Sequence, residues 1–243
     1  MKFQHMHKYS ISILIALLTS TSVMAQNENS EIENDSIATD STSYKLKYGL
    51  RLGFDISKIV RTAIDDEFSG FEINADYRLT KKLFIAAEIG NEERTTTTDF
   101  LNSTADGSYI KAGIDYNLYR NWLGADDLIY SGFRIGYSTF NQTINSFSVF
   151  NRNQSFEQGT FTTPIEIDGL DAIWGELIMG IKAEVLPNLY MGVNVQFKLL
   201  ASETEPDNFE NVYIPGFNRT FDSGSFGIGF GYNIAYLIPF KKR

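Results

Sequence analysis

Cysteine is absent from this 243-residue chain, and histidine occurs only at His5 and His7. The first absence excludes disulfides, thiol catalysis and cysteine metal centres, so an exported form must hold together through burial and backbone pairing. The second confines imidazole chemistry to the extreme N-terminus. Histidine is the side chain whose unperturbed pKa lies near neutrality, and without it the usual acid–base catalyst is missing. Bases are scarce as well: 21 Lys and Arg stand against 30 Asp and Glu. That balance argues against nucleic acid as a partner, because phosphate recognition selects basic patches. No apolar run reaches the ~20 residues that a membrane helix needs. From these absences the expectation is a chain that is not an enzyme and that holds no cofactor or metal.

What is present begins with an export signal. Lys2 and Lys8 precede the short apolar run "ISILIALL", and Val23 and Ala25 are small residues suited to cleavage before Gln26. Residues 1–25 are therefore expected to be a secretory signal peptide. An uncleaved helical anchor is the alternative, disfavoured by the short run. No cysteine follows, so lipoprotein processing is excluded. Without Lys2 and Lys8 the chain keeps 19 bases against 30 acids, a formal charge of −11. Residues 26–45 are polar and acidic with almost no large apolar side chain, and are expected to form a disordered periplasmic leader. Within them, "DSI" (35–37) and "DST" (40–42) look like acceptor sites of Bacteroidota O-glycosylation.

From residue 46 onward the text alternates. In "GFEINADYRL" (70–79), Phe71, Ile73, Ala75, Tyr77 and Leu79 are apolar, and Glu72, Asn74, Asp76 and Arg78 are polar. Strict alternation is a strand signature, since successive side chains point to opposite faces. Eight such segments are predicted, at 47–56, 68–79, 83–93, 108–119, 128–140, 172–186, 189–201 and 225–238. Most reach the ~9–11 residues of a tilted membrane strand, against a globular mean nearer ~5–6. Connections after segments two, four and six are short, and those after one, three, five and seven are long. Short turns on one rim and long loops on the other match outer-membrane barrels, with both termini on the periplasmic side.

The same alternation fits a soluble barrel with its apolar phase inside, so the wet face must be decided. The polar phase is rich in glycine, at Gly49, Gly53, Gly90, Gly113, Gly132, Gly136, Gly180, Gly192, Gly227, Gly229 and Gly231. Glycine weakens a solvated strand, whereas in a narrow eight-stranded lumen it makes room for long side chains opposite. That phase also carries Arg51, Arg78, Lys111, Arg134, Lys182 and Lys198 against Asp55, Glu72, Asp76, Glu88, Asp115, Glu176 and Glu184. Near balance suits an interior ion-pair network, because an isolated buried charge is costly. Aromatic residues mark both ends of the apolar phase, with Tyr48, Tyr77, Tyr116 and Tyr236 at one rim and Phe54, Phe71, Tyr137, Phe197 and Phe226 at the other. Two girdles are what a bilayer's interfaces select. The expected fold is all-β: an eight-stranded antiparallel up-and-down transmembrane β-barrel over residues 46–243.

Four strings, "YKLKYGLRLGFDISK", "GSYIKAGIDYNLYRNWLG", "ELIMGIKAEVLPNLYMGVNVQFK" and "NVYIPGFNRTFDSGSFGIGFGYNIAYLIPF", resemble an uncharacterised outer-membrane barrel family of Bacteroidota, a domain of unknown function. The resemblance implies location in the Gram-negative outer membrane and barrel architecture. It brings no activity and no catalytic residue.

Other features leave choices open. The acidic pairs Asp65–Asp66, Glu92–Glu93 and Asp126–Asp127 could bind Ca²⁺ at loops or be solvated charges. No EF-hand spacing surrounds them, which favours the second. The glycine text "FGIGFGY" is followed by no helix and is not a phosphate loop. Region 141–171 is long enough to be functional. Its aromatics beside amides suit a glycan or protein surface, and the equal alternative is a protective hairpin continuing two strands above the membrane. The expected partners are outer-membrane lipid and a glycan or protein at the loops, for a monomer with a structural or surface-interaction role. Two other readings are a narrow, porin-like gated channel and a soluble exported barrel binding a hydrophobic ligand.

Overall fold

The computed structural model describes residues 47–119, 126–148, 159–206, 209–219 and 225–242. All of them belong to the compact unit Tyr44–Arg243. The expected signal peptide, the leader and its glycosylation sites lie outside the described residues.

Eight long strands form a ring: β1 (Lys47–Asp55), β2 (Phe68–Arg78), β3 (Leu83–Thr97), β4 (Leu101–Asn117), β5 (Leu128–Ser148), β7 (Ile165–Leu186), β8 (Leu189–Glu203) and β11 (Phe226–Lys242). Each pairs antiparallel with the next, and β11 pairs back onto β1, which closes the barrel. Two-residue strands complete the set: β6 (Thr160–Phe161) on β5, and β9 (Tyr213–Ile214) with β10 (Asn218–Arg219). The helix α1 (Ile56–Ile64) follows β1.

The alternation sorts residues in the sense opposite to a soluble protein. On β4, Ile110, Ile114 and Tyr116 are exposed, while Lys111 and Asp115 between them are buried. Phe133, Ile135 and Tyr137 on β5, and Val193, Val195 and Phe197 on β8, repeat the pattern around the ring. Such a wall is stable only in hydrocarbon. Among the described residues no helix is long and apolar enough to cross a membrane. Strands cross instead, because a closed barrel satisfies every backbone group internally. On β4 the outward apolar stretch is the nine residues from Ile110 to Leu118. At ~3.3 Å per residue and a tilt near ~40° it is roughly 23 Å tall, close to the ~25 Å band of barrels of this kind.

The strands outrun the predicted segments on the long-loop side. The stretch expected as the loop "RTTTTDFLNSTADG" is a β3–β4 hairpin, paired up to Thr97↔Asn102 and turned at Thr98–Phe100. The reason is chemical. Above Ile110 the outward positions become Ser108, Asp106, Thr104 and Asn102, so the apolar phase stops while the strand continues into water. Within 141–171, β5 runs to Ser148 and β7 starts at Ile165. Residues 149–158 lie outside the described residues.

The second departure follows β1. Asp55 ends the strand and accepts hydrogen bonds from the Ser57 N–H (2.8 Å) and Ser57 Oγ (2.6 Å), capping α1. An oxygen at this position satisfies one of the helix's unpaired N–H groups. Pairing of β1 with β2 stops at Phe54↔Ile73, and with β11 at Asp55↔Asn233. Above those points α1 stands in the wall between β2 and β11 where a strand would otherwise run.

Candidate functional site: a neutral lumen under an inserted segment

Register sets opposite charges face to face inside the barrel. Arg51 lies opposite Asp76, Glu88 opposite Lys111, Arg134 opposite Glu176, and Glu176 opposite Lys198. At the short-turn end, Arg51 Nε and Lys182 Nζ each reach Asp76 at 2.5 Å. Arg51 and Arg78 stack over the Phe84 ring at 4.7 and 4.9 Å. Arg78 pairs with Asp126 at 2.5 Å, to which the Tyr190 hydroxyl also donates. Glu184 pairs with Lys47 at 2.5 Å.

A larger cluster fills mid-barrel. Arg134 grips Asp115 with both terminal nitrogens, at 2.8 and 3.0 Å, and donates Nε to Glu88 at 3.3 Å. Lys111 sits among Glu88, Glu72 (3.2 Å) and Glu176 (3.9 Å). Glu176 also receives the Trp174 indole N–H at 2.7 Å and faces Lys198 at 3.6 Å. Gly132 leaves room for this pair: a Cβ on it would stand 2.0 Å from Asp115 Oδ1, which would have to shift in its grip on Arg134.

A segment between β8 and β11 turns inward and covers this cluster. Tyr213, Ile214 and Phe217 are buried, and Ile214 and Phe217 pack with Tyr109, Phe140, Leu170 and Trp174 in an apolar layer. The segment is fastened by polar bonds to the wall. Glu92 accepts the Tyr213 hydroxyl (2.8 Å) and the Gly216 N–H (2.7 Å), and Lys198 donates to the Gly216 carbonyl at 2.6 Å. Gln142 uses both ends of its amide, accepting from Val212 N–H and donating to the Glu210 carbonyl. Gly216 has φ of +81°, and a Cβ there would meet the Tyr109 ring at 2.5 Å.

Of the thirteen residues singled out from the sequence, twelve take part in these ion pairs. Asp55 does not. It is buried, but it caps α1 and accepts the Tyr232 N–H at 3.2 Å, so its role is to end a strand. Four partners had escaped the alternation: Lys47, Lys58, Glu92 and Asp126. Lys58 reaches back from α1 to Glu92 and to Glu72 (3.5 Å). Glu92 and Asp126 belong to pairs of adjacent acids expected to be solvated loop charges, yet both are buried. For Glu92 the signal was available, since it continues the inward phase of Glu88 and Gly90. With these changes the ion pairs inside the barrel join eight bases (Lys47, Arg51, Lys58, Arg78, Lys111, Arg134, Lys182, Lys198) and eight acids (Glu72, Asp76, Glu88, Glu92, Asp115, Asp126, Glu176, Glu184), among the described residues. A low-dielectric interior tolerates charge only when it is matched this closely.

Asp65, of the remaining acidic pair, sits at the end of α1. Burial acts to raise its pKa, but hydrogen bonds from Arg94, the Glu67 N–H and Arg61 outweigh that and hold the carboxyl below its usual range. No cluster of acidic side chains suited to a metal ion occurs among the described residues.

A closed ring with an apolar exterior and a charge-matched interior defines a transmembrane β-barrel. The sequence narrows this: residues 6–243 match the family model described as a domain of unknown function, DUF6048, and the chain belongs to that family. No curated protein matches it in sequence. Among solved structures, Ail, the attachment invasion locus protein of Yersinia pestis, aligns at a TM-score of 0.40 and 7% identity, over 79% of this chain and 97% of that one.

Proposed function

We propose that this chain is a monomeric barrel of the Gram-negative outer membrane with a non-enzymatic structural or surface-interaction role. The observation that carries the proposal is the lumen: matched charge fills the middle, and the 209–219 segment covers it from the long-loop side. A lumen so occupied supports a wall and a platform better than a path. The strand extensions of β3, β4, β5 and β7 form the platform, with amides and hydroxyls outward at Asn102, Thr104, Asn141 and Thr143. Phe147 stacks on Phe161 at 4.9 Å and meets Phe209 edge-on at 5.4 Å beside them. Aromatic rings next to amides suit a glycan or a protein surface. The lack of histidine and cysteine beyond residue 7 supports a role without catalysis.

Planar-bilayer recording of the purified, refolded protein tests the reading. The expected trace has no stable unitary steps. Steps that disappear when Arg134 or Glu176 is replaced would establish a gated channel instead. Heat-modifiable gel migration and a requirement for detergent test the membrane barrel itself, and a protein soluble without detergent would refute it.

A further inference from the structure

One stretch of wall is not closed by strand pairing. From Phe226 to Tyr232, β11 pairs with β8 on one side only, because its register with β1 ends at Asn233. Phe226, Ile228 and Phe230 are 73%, 70% and 69% exposed, against 47% and 50% for Phe197 and Leu199 on the fully paired β8 next to them. The difference is the absent neighbour. α1 occupies the far side of the opening but is fastened to β2. Thr62 Oγ1 accepts the Gly70 N–H at 2.9 Å, Arg61 lies over Phe68 at 4.0 Å, and Lys58 reaches Glu92. Toward β11, among the described residues, Asp55 at the end of β1 accepts the Tyr232 N–H at the base of the slot.

Between α1 and β11 is a cavity of about 620 Å³. That volume lies within the ~300–1,000 Å³ of small-molecule sites. Its outer part is apolar, with Ile56, Val60 and Ile64 facing Ile228, Phe230 and Tyr232. Its inner part is charged, with Lys58, Arg61, Arg94 and Lys198 against Asp55 and Glu92. Lys58 and Lys198 are paired inside the barrel and Arg94 is held by Asp65 and Glu67, whereas Arg61 gives only its Nε to Asp65. An unpaired strand edge with bulky apolar side chains is not stable against bare hydrocarbon or bare water.

We propose that the slot between α1 and β11 is a lateral binding site for one anionic, phosphate-bearing lipid of the surrounding leaflet, for which phosphatidylglycerol serves as a probe. An acyl chain lies between Ile56, Val60 and Ile64 and the free face of β11. The phosphate stands at the Arg61 side of the slot, where a guanidinium whose Nε is given to Asp65 has further N–H groups to donate. The chain enters from the bilayer, continuous with the apolar exterior, and covers the strand edge that β1 leaves open. This inference rests on the membrane-barrel reading.

Native mass spectrometry of the intact protein, released from detergent micelles holding dimyristoyl-phosphatidylglycerol or dimyristoyl-phosphatidylcholine, tests it. One phosphatidylglycerol is expected to stay bound per barrel, in preference to phosphatidylcholine. Val60→Trp fills the slot and should reduce retention about tenfold or more, and Arg61→Gln should abolish the preference for the anionic lipid. Ile135→Trp, on the exposed face of β5, should change neither. Each variant is first shown to keep its heat-modifiable migration, so loss of the barrel is distinguished from loss of the site. Equal retention by the Val60→Trp barrel, no retained lipid in the wild-type barrel, or a dimer in its place that Val60→Trp disrupts would each overturn the proposal.

Discussion

The wall from β2 round to β8 and the seam between β1 and β11 solve one problem in different ways. Along β3, β4, β5 and β7 the backbone is satisfied strand to strand far beyond the belt, and the side chains change from apolar to polar without breaking the ladder. At the seam, β1 stops after nine residues, and its place is taken by a helix held through side chains. A ladder is cooperative, whereas a helix tied by Thr62, Arg61 and Lys58 can be released one bond at a time. The lumen belongs to the first regime and the slot to the second.

The comparison breaks most directly at Lys111. This side chain is fully buried among Glu72, Glu88 and Glu176. Lys111→Met keeps its length and removes its charge, leaving three carboxylates without their shared partner. Removing one member of a buried pair costs about 3–5 kcal/mol. A drop of that size in the urea unfolding free energy, followed by tryptophan fluorescence, is expected, and adding Glu88→Gln should restore part of it. A change under about 1 kcal/mol would mean that water already screens these charges, as in a surface pair.

How far the sequence could be read follows the same division. The ring and its orientation were legible because lipid and lumen impose opposite demands on alternate residues. Ile110 and Lys111 could not exchange faces. Above Ile110 that contrast vanishes, since Thr104 outside and Ser103 inside are both polar, so the strands were read as too short. The helix carried its own signal in Asp55 followed by Ile56, Ile59, Val60 and Ile64 at helical spacing. It was hidden because Asp55 also fits the polar phase of β1. The inserted segment was harder still. "VYIPGF" is an apolar patch in a polar loop, but nothing local says that Gly216 will meet Tyr109 and Glu92, which are more than a hundred residues away.

At the seam the effects are smaller and local. Asp55→Ala removes the cap of α1 and the acceptor of the Tyr232 N–H together. A lost cap costs about 0.5–2 kcal/mol. Faster hydrogen exchange is expected in α1 and at Tyr232, while amides of β4 and β5 keep their protection. If exchange rose equally around the ring, the seam and the wall would be one cooperative unit.

The least effect, and the sharpest in location, is that of pH on the far end of α1. The folded-state pKa of Asp65 lies below the ordinary value of 3.8, so its bonds to Arg94 and Arg61 contribute fully above that value. The contribution is lost as pH falls from 3.8 through the folded pKa, because over that interval the unfolded chain binds more protons than the folded one. Since the chain has no cysteine, a spin label on Ile64→Cys reports this end of the helix alone. Its mobility should be flat from neutrality down to about pH 4 and rise below that. In an Asp65→Asn background it should start higher and no longer respond in that window. A label equally mobile in both backgrounds at neutral pH would show that α1 is held by Lys58 and Thr62 alone, and the seam would then hinge at Asp55 rather than swing from both ends.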